Sequence, residues 1–319
     1  MLALRYKTSL ELDENISKPA LRDKEAIIKV YKAGICKTDT ELIKGYMGFN
    51  GTLGHEFVGI VEECEDRKWL GQRIVGEINA GCGDCTNCAM GLGRHCSNRS
   101  VLGILGRDGC MAEYCSLPTN NLCRVPKTIS DDEAVFTEPL SAACEILEQT
   151  KIGRDDQCFV LGDGKLGILI AWVLSTQSDH VTLIGRHQDK LDIADWNGVQ
   201  TVLDKDVLKD KADIVIDATG SVSGLCRAME LCRPRGRIVL KSTFAQKPEI
   251  DLTPIVINEI TLIGSRCGQF KDGLDMIQKF KPPLTKLIEH TYSLRNGLKA
   301  FDHAERRGVL KILFDMNIN

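Results

Sequence analysis

From about residue 146 the chain alternates short apolar runs with helix-length segments, and this alternation constrains its fold more than any other feature. Cys158 to Leu161, Val181 to Ile184, Asp213 to Asp217 and Arg237 to Leu240 are short and β-rich, as buried strands are. Between them, Lys165 to Ser175, Gln188 to Asn197 and Val222 to Cys232 space their apolar residues at helical intervals. Strand, helix and strand in succession predict a parallel sheet with helices on both faces. The run GDGKLG, residues 162 to 167, follows the first of these strands. Alone such a run is weak. On a strand-turn-helix unit it has a mechanism: Gly162, Gly164 and Gly167 permit a tight turn and let a pyrophosphate approach the backbone. The helix opening at Lys165 and Leu166 then offers N–H groups and a favourable dipole to the anion. Asp163 inside the loop is unfavourable to a pyrophosphate, and Lys165 offsets it.

The end of the second strand identifies the dinucleotide. An NAD site normally carries Asp or Glu there, accepting from the ribose 2′-hydroxyl. This chain reads Gly185-Arg186-His187, without an acid. A 2′-phosphate meets no repulsion at Gly185, Arg186 presents a planar fork to it, and His187 adds a donor. NADP(H) is therefore expected, and the alternative is a solvated basic turn in an NAD protein.

The first part of the chain, to about residue 145, is different. Short alternating segments such as Ala26 to Tyr31 and Phe57 to Glu62 are broken by Gly, Asn and Pro, and predict a compact β structure. The tail returns to this pattern with a helical stretch from Lys271 to Lys279, a Pro282-Pro283 break and a closing strand from Val309 to Phe314.

Fourteen cysteines in 319 residues would suit a disulfide framework only in a small secreted chain. The opening MLALRYKTSLELDENISK has neither an apolar core nor a cleavage-type pattern, which predicts a cytosolic protein. The spacing of the cysteines is what matters. Residues 82 to 96, CGDCTNCAMGLGRHC, place Cys82, Cys85, Cys88 and Cys96 so that four thiolates can meet one zinc ion at about 2.3 Å. Such a site is closed to substrate and stabilises its loop. The alternative is a cluster of free or redox-active thiols, and His95 is expected to be a bystander.

A second set is scattered. Cys36 in GICKTD, His55 in LGHEF and Glu138 in TEPLS offer a thiolate, an imidazole and a carboxylate from separate loops. Three such ligands leave the fourth position of a zinc ion open, as catalysis requires. Singly each residue is more often structural; the set gains force jointly and with the four-cysteine loop between its members.

Taken in order, GICKTD, LGHEFVG, the four-cysteine loop, DGCMAEY and TEPLSAACEI resemble the zinc-containing medium-chain dehydrogenase family, over essentially the whole chain. The likeness is greater to the polyol, glucose and threonine dehydrogenase type than to the liver alcohol dehydrogenase type, since Glu138 stands where the latter has a cysteine. The segment between His55 and Cys82 is compressed. The resemblance implies an α/β fold: a GroES-like β-rich catalytic domain over residues 1–145 and 271–319, and a Rossmann domain, a doubly wound parallel sheet binding the nucleotide, over 146–270. It implies Cys36 and His55 as ligands of a catalytic zinc, with Glu56 and Glu138 sharing or exchanging the third place. It implies that Thr38 relays the substrate hydroxyl proton and that Asp39 orients the His55 ring.

The expected protein is thus an enzyme with two zinc ions per chain that transfers a hydride between an alcohol, polyol or sugar hydroxyl and NADP(H). Two alternatives remain: a dehydrogenase-like protein that binds nucleotide without turnover, and a zinc-independent enone or quinone reductase. Neither would need Cys36, His55, Glu56 and Glu138 together. A net charge of −3 with dispersed Lys and Arg points to neither nucleic acid nor an anionic membrane. The longest apolar run, Ile168 to Leu174, falls well short of the roughly 20 residues that span a bilayer. Small-molecule substrates and a homo-oligomer, dimer or tetramer, are the expected partners.

Overall fold

A computed structural model describes residues 1–206, 210–243 and 249–318. The chain forms two compact units, Met1–Glu138 with Leu284–Asn319, and Pro139–Pro283. The boundaries expected from the sequence fall at 145/146 and 270/271. In the structure the first change falls inside the helix Thr137–Gln149, and the second falls after the helix Phe270–Phe280, at the Pro282-Pro283 break.

In the second unit six strands form one parallel sheet, in the order Gln200–Leu203, Val181–Gly185, Cys158–Leu161, Ala212–Asp217, Cys232–Leu240 and Thr261–Gly264. In sequence order this is 3-2-1-4-5-6, so the winding reverses between Cys158–Leu161 and Ala212–Asp217. Ligands of such sheets bind beyond the carboxyl ends of the strands at that reversal. The core packs Phe159, Leu161, Ile184, Val215, Leu225 and Ile238 together. The fully buried Trp172, on the helix Lys165–Leu174, donates its indole N–H to the Ala194 carbonyl at 3.0 Å.

Three elements depart from expectation. The helix beginning at Gln188 ends at Ile193, four residues early, and Asn197 beyond it has a left-handed φ of +50°. The fifth strand begins at Cys232 rather than Arg237, through an irregular register in which Ala212 faces Cys232 and Ile214 faces Arg237. The edge strands Gln200–Leu203 and Thr261–Gly264 escaped the sequence reading because they are short and largely solvent-facing, which dilutes an apolar signal.

In the first unit the strand Glu25–Gly34 organises the main sheet. It pairs antiparallel with Glu56–Cys64, Lys311–Asp315 and Tyr114–Pro118. Its register sets Gly34 opposite both Glu56, the first residue of one neighbouring strand, and Leu313, the third residue of the other. A Cβ on Gly34 would stand 2.7 Å from Glu56 Oε2 and 2.9 Å from Lys311 Nζ. Glycine is what lets these two side chains meet. Among the described residues no helix is long and apolar enough to cross a membrane.

Candidate active site

Cys36 lies two residues past the end of the central strand and caps the short helix Lys37–Leu42 in an extended conformation. Its N–H donates to Asp39 Oδ2 at 2.8 Å. The other oxygen, Asp39 Oδ1, accepts from the Gly54 N–H at 3.2 Å and lies 3.3 Å from His55 Nδ1. The latter approach is close, but it is not aligned as a hydrogen bond. One buried carboxylate therefore fixes both the loop that carries Cys36 and the loop that carries His55. Gly54, at φ +97°, makes the turn between them, and a Cβ there would collide with Met111.

The ligand atoms of Cys36, His55 and Glu56 lie within 4.8 Å of one another. His55 is 2% exposed and Glu56 wholly buried. Glu56 Oε2 accepts from Lys311 Nζ, while Glu56 Oε1 is buried without a hydrogen-bond partner among the described residues. A buried, unpartnered carboxylate oxygen beside a thiol and an imidazole is a donor set lacking its acceptor. A zinc ion fits it. The electrostatics agree: burial pushes the His55 pKa down, but the Asp39 carboxylate and Cys36 outweigh it and hold it well above its usual value.

Of the other expected residues, Thr38 is half-buried with its hydroxyl 3.8 Å from Cys36 Sγ. Glu138 is half-buried in the first turn of Thr137–Gln149 and lies outside the Cys36, His55 and Glu56 group.

Lys311 was missed. Its signal was a lone cation inside the apolar run Val309 to Phe314, where strand residues otherwise face the core. It is fully buried, its Nζ 5.4 Å from the Phe136 ring centre, and burial pushes its pKa down to about 8. Lys311→Met strands the Glu56 charge in the interior, a loss of about 3–5 kcal/mol when a buried pair is broken on one side. Urea unfolding checks this: a loss below about 1 kcal/mol would show that Glu56 needs no counter-charge, and adding Glu56→Gln is expected to recover part of the loss.

The four loop cysteines also converge. Cys82, Cys85, Cys88 and Cys96 have their sulfurs mutually within 4.8 Å, Cys85 to Cys96 at 3.7 Å and Cys96 to Cys82 at 3.4 Å. The Cys82 N–H donates to Cys96 Sγ and the Gly83 N–H to Cys88 Sγ, each at 3.4 Å. These are contacts that suit thiolates. The Cys82 N–H leads in pulling Cys96 down to about 7. His95 lies outside the group, its carbonyl accepting from Asn87. No disulfide joins any of the fourteen cysteines.

In the second unit Gly162, at φ +109°, ends the first strand, and Gly164 caps the helix Lys165–Leu174 with open space where a Cβ would stand. A Cβ on Gly167 would run into the Gly162 carbonyl. Lys165 and Leu166 form the half-buried first turn of the helix. Two details add to the sequence reading. The Asp163 side chain turns to the second strand's end: its Oδ2 accepts from the N–H groups of Arg186 at 2.6 Å and His187 at 2.7 Å, and lies 2.9 Å from His187 Nδ1. An acid therefore does stand at the second strand's end, delivered from another loop. Arg186, 70% exposed at its side chain, directs its Nε to Asp204 Oδ2 at 3.4 Å.

Residues 22–127 match the alcohol dehydrogenase GroES-like domain, and residues 164–281 match the zinc-binding dehydrogenase domain. The chain belongs to the zinc-type medium-chain alcohol dehydrogenase family. Within this family it is 29% identical to the sorbitol dehydrogenase of Halalkalibacterium halodurans over 311 residues, 90% of each chain. Among solved dehydrogenases it resembles RspB of Escherichia coli CFT073 in complex with NADH (TM-score 0.89, 25% identity, covering 99% and 98% of the two chains). It also resembles a zinc-binding dehydrogenase of Sinorhizobium meliloti bound to NADP (TM-score 0.87, 26% identity, 98% of each chain). The two units thus have the GroES-like and Rossmann folds.

Proposed function

We propose that this dehydrogenase binds two zinc ions and transfers a hydride between an alcohol, including a polyol or sugar hydroxyl, and a nicotinamide dinucleotide, giving an aldehyde or ketone. The observation that carries the reading is the triad of half-buried Cys36 with buried His55 and Glu56, Glu56 Oε1 lacking a hydrogen-bond partner among the described residues. A zinc ion there supplies Lewis-acid polarisation of the substrate oxygen, and the dinucleotide supplies the hydride acceptor. Cys36 and His55 hold the metal. Asp39 keeps both in place through the Cys36 and Gly54 N–H groups and the His55 ring. Thr38, its hydroxyl 3.8 Å from Cys36 Sγ, takes the substrate proton. Lys311 holds one oxygen of Glu56 and leaves the other for the metal site. Cys82, Cys85, Cys88 and Cys96 bind the second zinc, which closes their loop and takes no part in chemistry. In this reading the unit Met1–Glu138 with Leu284–Asn319 is catalytic and Pro139–Pro283 binds the dinucleotide.

Glu138 is the remaining acid of the expected set, and its role is to share the third ligand place with Glu56. Glu138→Gln is then expected to lower kcat/KM by about tenfold and to weaken zinc retention, as loss of a supporting carboxylate does. Full activity and full zinc affinity would mean that Glu138 only favours the helix terminus, worth about 0.3–1 kcal/mol.

Relatives hold NADH in one case and NADP in another. The expectation of NADP(H) rested on a turn without an acid, and Asp163 removes that premise. For assembly, a homo-oligomer is supported by the edge strand Thr261–Gly264 and by the nearby Val256 and Ile257, 76% and 73% exposed. Fourteen cysteines without a disulfide suit the reducing cytosol. A screen of simple alcohols, polyols and aldoses with NAD+ and NADP+, and of aldehydes and ketones with the reduced cofactors, tests the activity. Oxidation of an alcohol supports it. Nucleotide binding without turnover would favour the inactive alternative, and turnover confined to activated double bonds would favour the reductase.

A further inference from the structure

The turn Gly185-Arg186-His187 reads differently once the side chain lying over it is known. A Cβ on Gly185 would fall 2.5 Å from Asp163 Cβ and 2.7 Å from Asp163 Oδ2. The Asp163 side chain thus fills the space that a residue-185 side chain would occupy, at the end of the second strand, where a dinucleotide's adenosine ribose lies in folds of this order. We propose that Asp163, projected from the glycine-rich turn, replaces the missing strand-end acid and selects NAD(H) over NADP(H) by accepting a hydrogen bond from the ribose 2′-hydroxyl. This rests on reading the second unit as a dinucleotide site.

Three observations support it. The carboxylate is held rigidly by one oxygen only, Oδ2, through the Arg186 and His187 N–H groups and the His187 ring. Oδ1 makes no hydrogen bond among the described residues and is not sealed from solvent, so it remains able to accept a hydroxyl. The group is ionised at neutral pH: burial pushes its pKa up, but the surrounding N–H donors outweigh this and hold it below the ordinary aspartate value. Finally, Arg186, the cation that a 2′-phosphate would need, already faces Asp204, which also lies 3.8 Å from Arg227. A 2′-phosphate would meet the Asp163 carboxylate at close range and share the Arg186 guanidinium with another acid. Gly185 is accordingly the space that Asp163 requires, and no longer a mark of NADP(H).

Cofactor binding tests this without any turnover. NADH and NADPH are titrated separately into the holoprotein, following nicotinamide fluorescence. The wild type is expected to bind NADH at least about tenfold more tightly, the scale of one hydrogen bond to a charged group. Asp163→Asn keeps an acceptor for the two backbone N–H groups but loses the charge, and is expected to reduce that ratio by about tenfold, mostly by improving NADPH. The double variant Asp163→Gly with Gly185→Asp moves the acid to the strand end and is expected to restore the preference for NADH, which keeps the test alive should the Asn variant fold poorly. NADPH binding as tightly as NADH in the wild type, an unchanged ratio in Asp163→Asn, or a double variant preferring NADPH would each overturn the proposal while leaving the dinucleotide site standing. Binding of neither nucleotide would overturn that site and this proposal together.

Discussion

Cys36→Ser is expected to abolish alcohol oxidation, lowering kcat by a factor of about a thousand or more, while the unfolding midpoint stays close to that of the wild type. A thousandfold corresponds to about 4 kcal/mol of transition-state stabilisation, the scale of one metal ion acting on a developing oxyanion. The fold should tolerate the change because Asp39 grips this loop through the backbone N–H of residue 36, which serine keeps. Zinc per chain should fall by one. Kinetics and metal analysis on one preparation decide the matter. A variant that retains both zinc ions, or one that loses its fold with its activity, would mean that Cys36 is structural.

The converse is expected of Cys85→Ser. Its loop carries only the four-residue helix Thr86–Ala89 and the short 3-10 turn Gly93–His95, so little besides the thiolate cluster orders it. The loop also joins two strands that pair with each other, Asn79–Ala80 and Ser100–Leu102. Metal-binding energy at a closed four-thiolate site is folding energy, about 10–16 kcal/mol in isolated zinc-finger peptides. Losing one ligand is therefore expected to cost several kcal/mol, a fall in melting temperature on the order of 10 °C. Activity per remaining folded molecule should survive. An unchanged melting curve would show that the four cysteines converge without binding a metal.

The parts of this molecule that were legible in its sequence are those fixed by local spacing. The parallel sheet was readable because short buried apolar strands alternate with segments of helical periodicity, and the four-cysteine loop because its ligands lie within 15 positions. Two features that alter the chemistry depend instead on tertiary register. Lys311 reaches Glu56 across 255 residues only because the strands Glu56–Cys64 and Lys311–Asp315 flank the same central strand and Gly34 has no side chain. Asp163 reaches the backbone of Arg186 across 23 residues because Gly185 leaves room for it. In both cases the sequence displayed the glycine and the charge, but not that one made space for the other.

The most direct test is the rate of alcohol-dependent nicotinamide reduction, measured as zinc is returned stepwise to the stripped protein. Four thiolates are expected to fill first, so the account predicts no turnover up to one zinc per chain and a rise in proportion to the second, ending at two. Full turnover at one zinc or fewer, or a rate indifferent to the second ion, would contradict it.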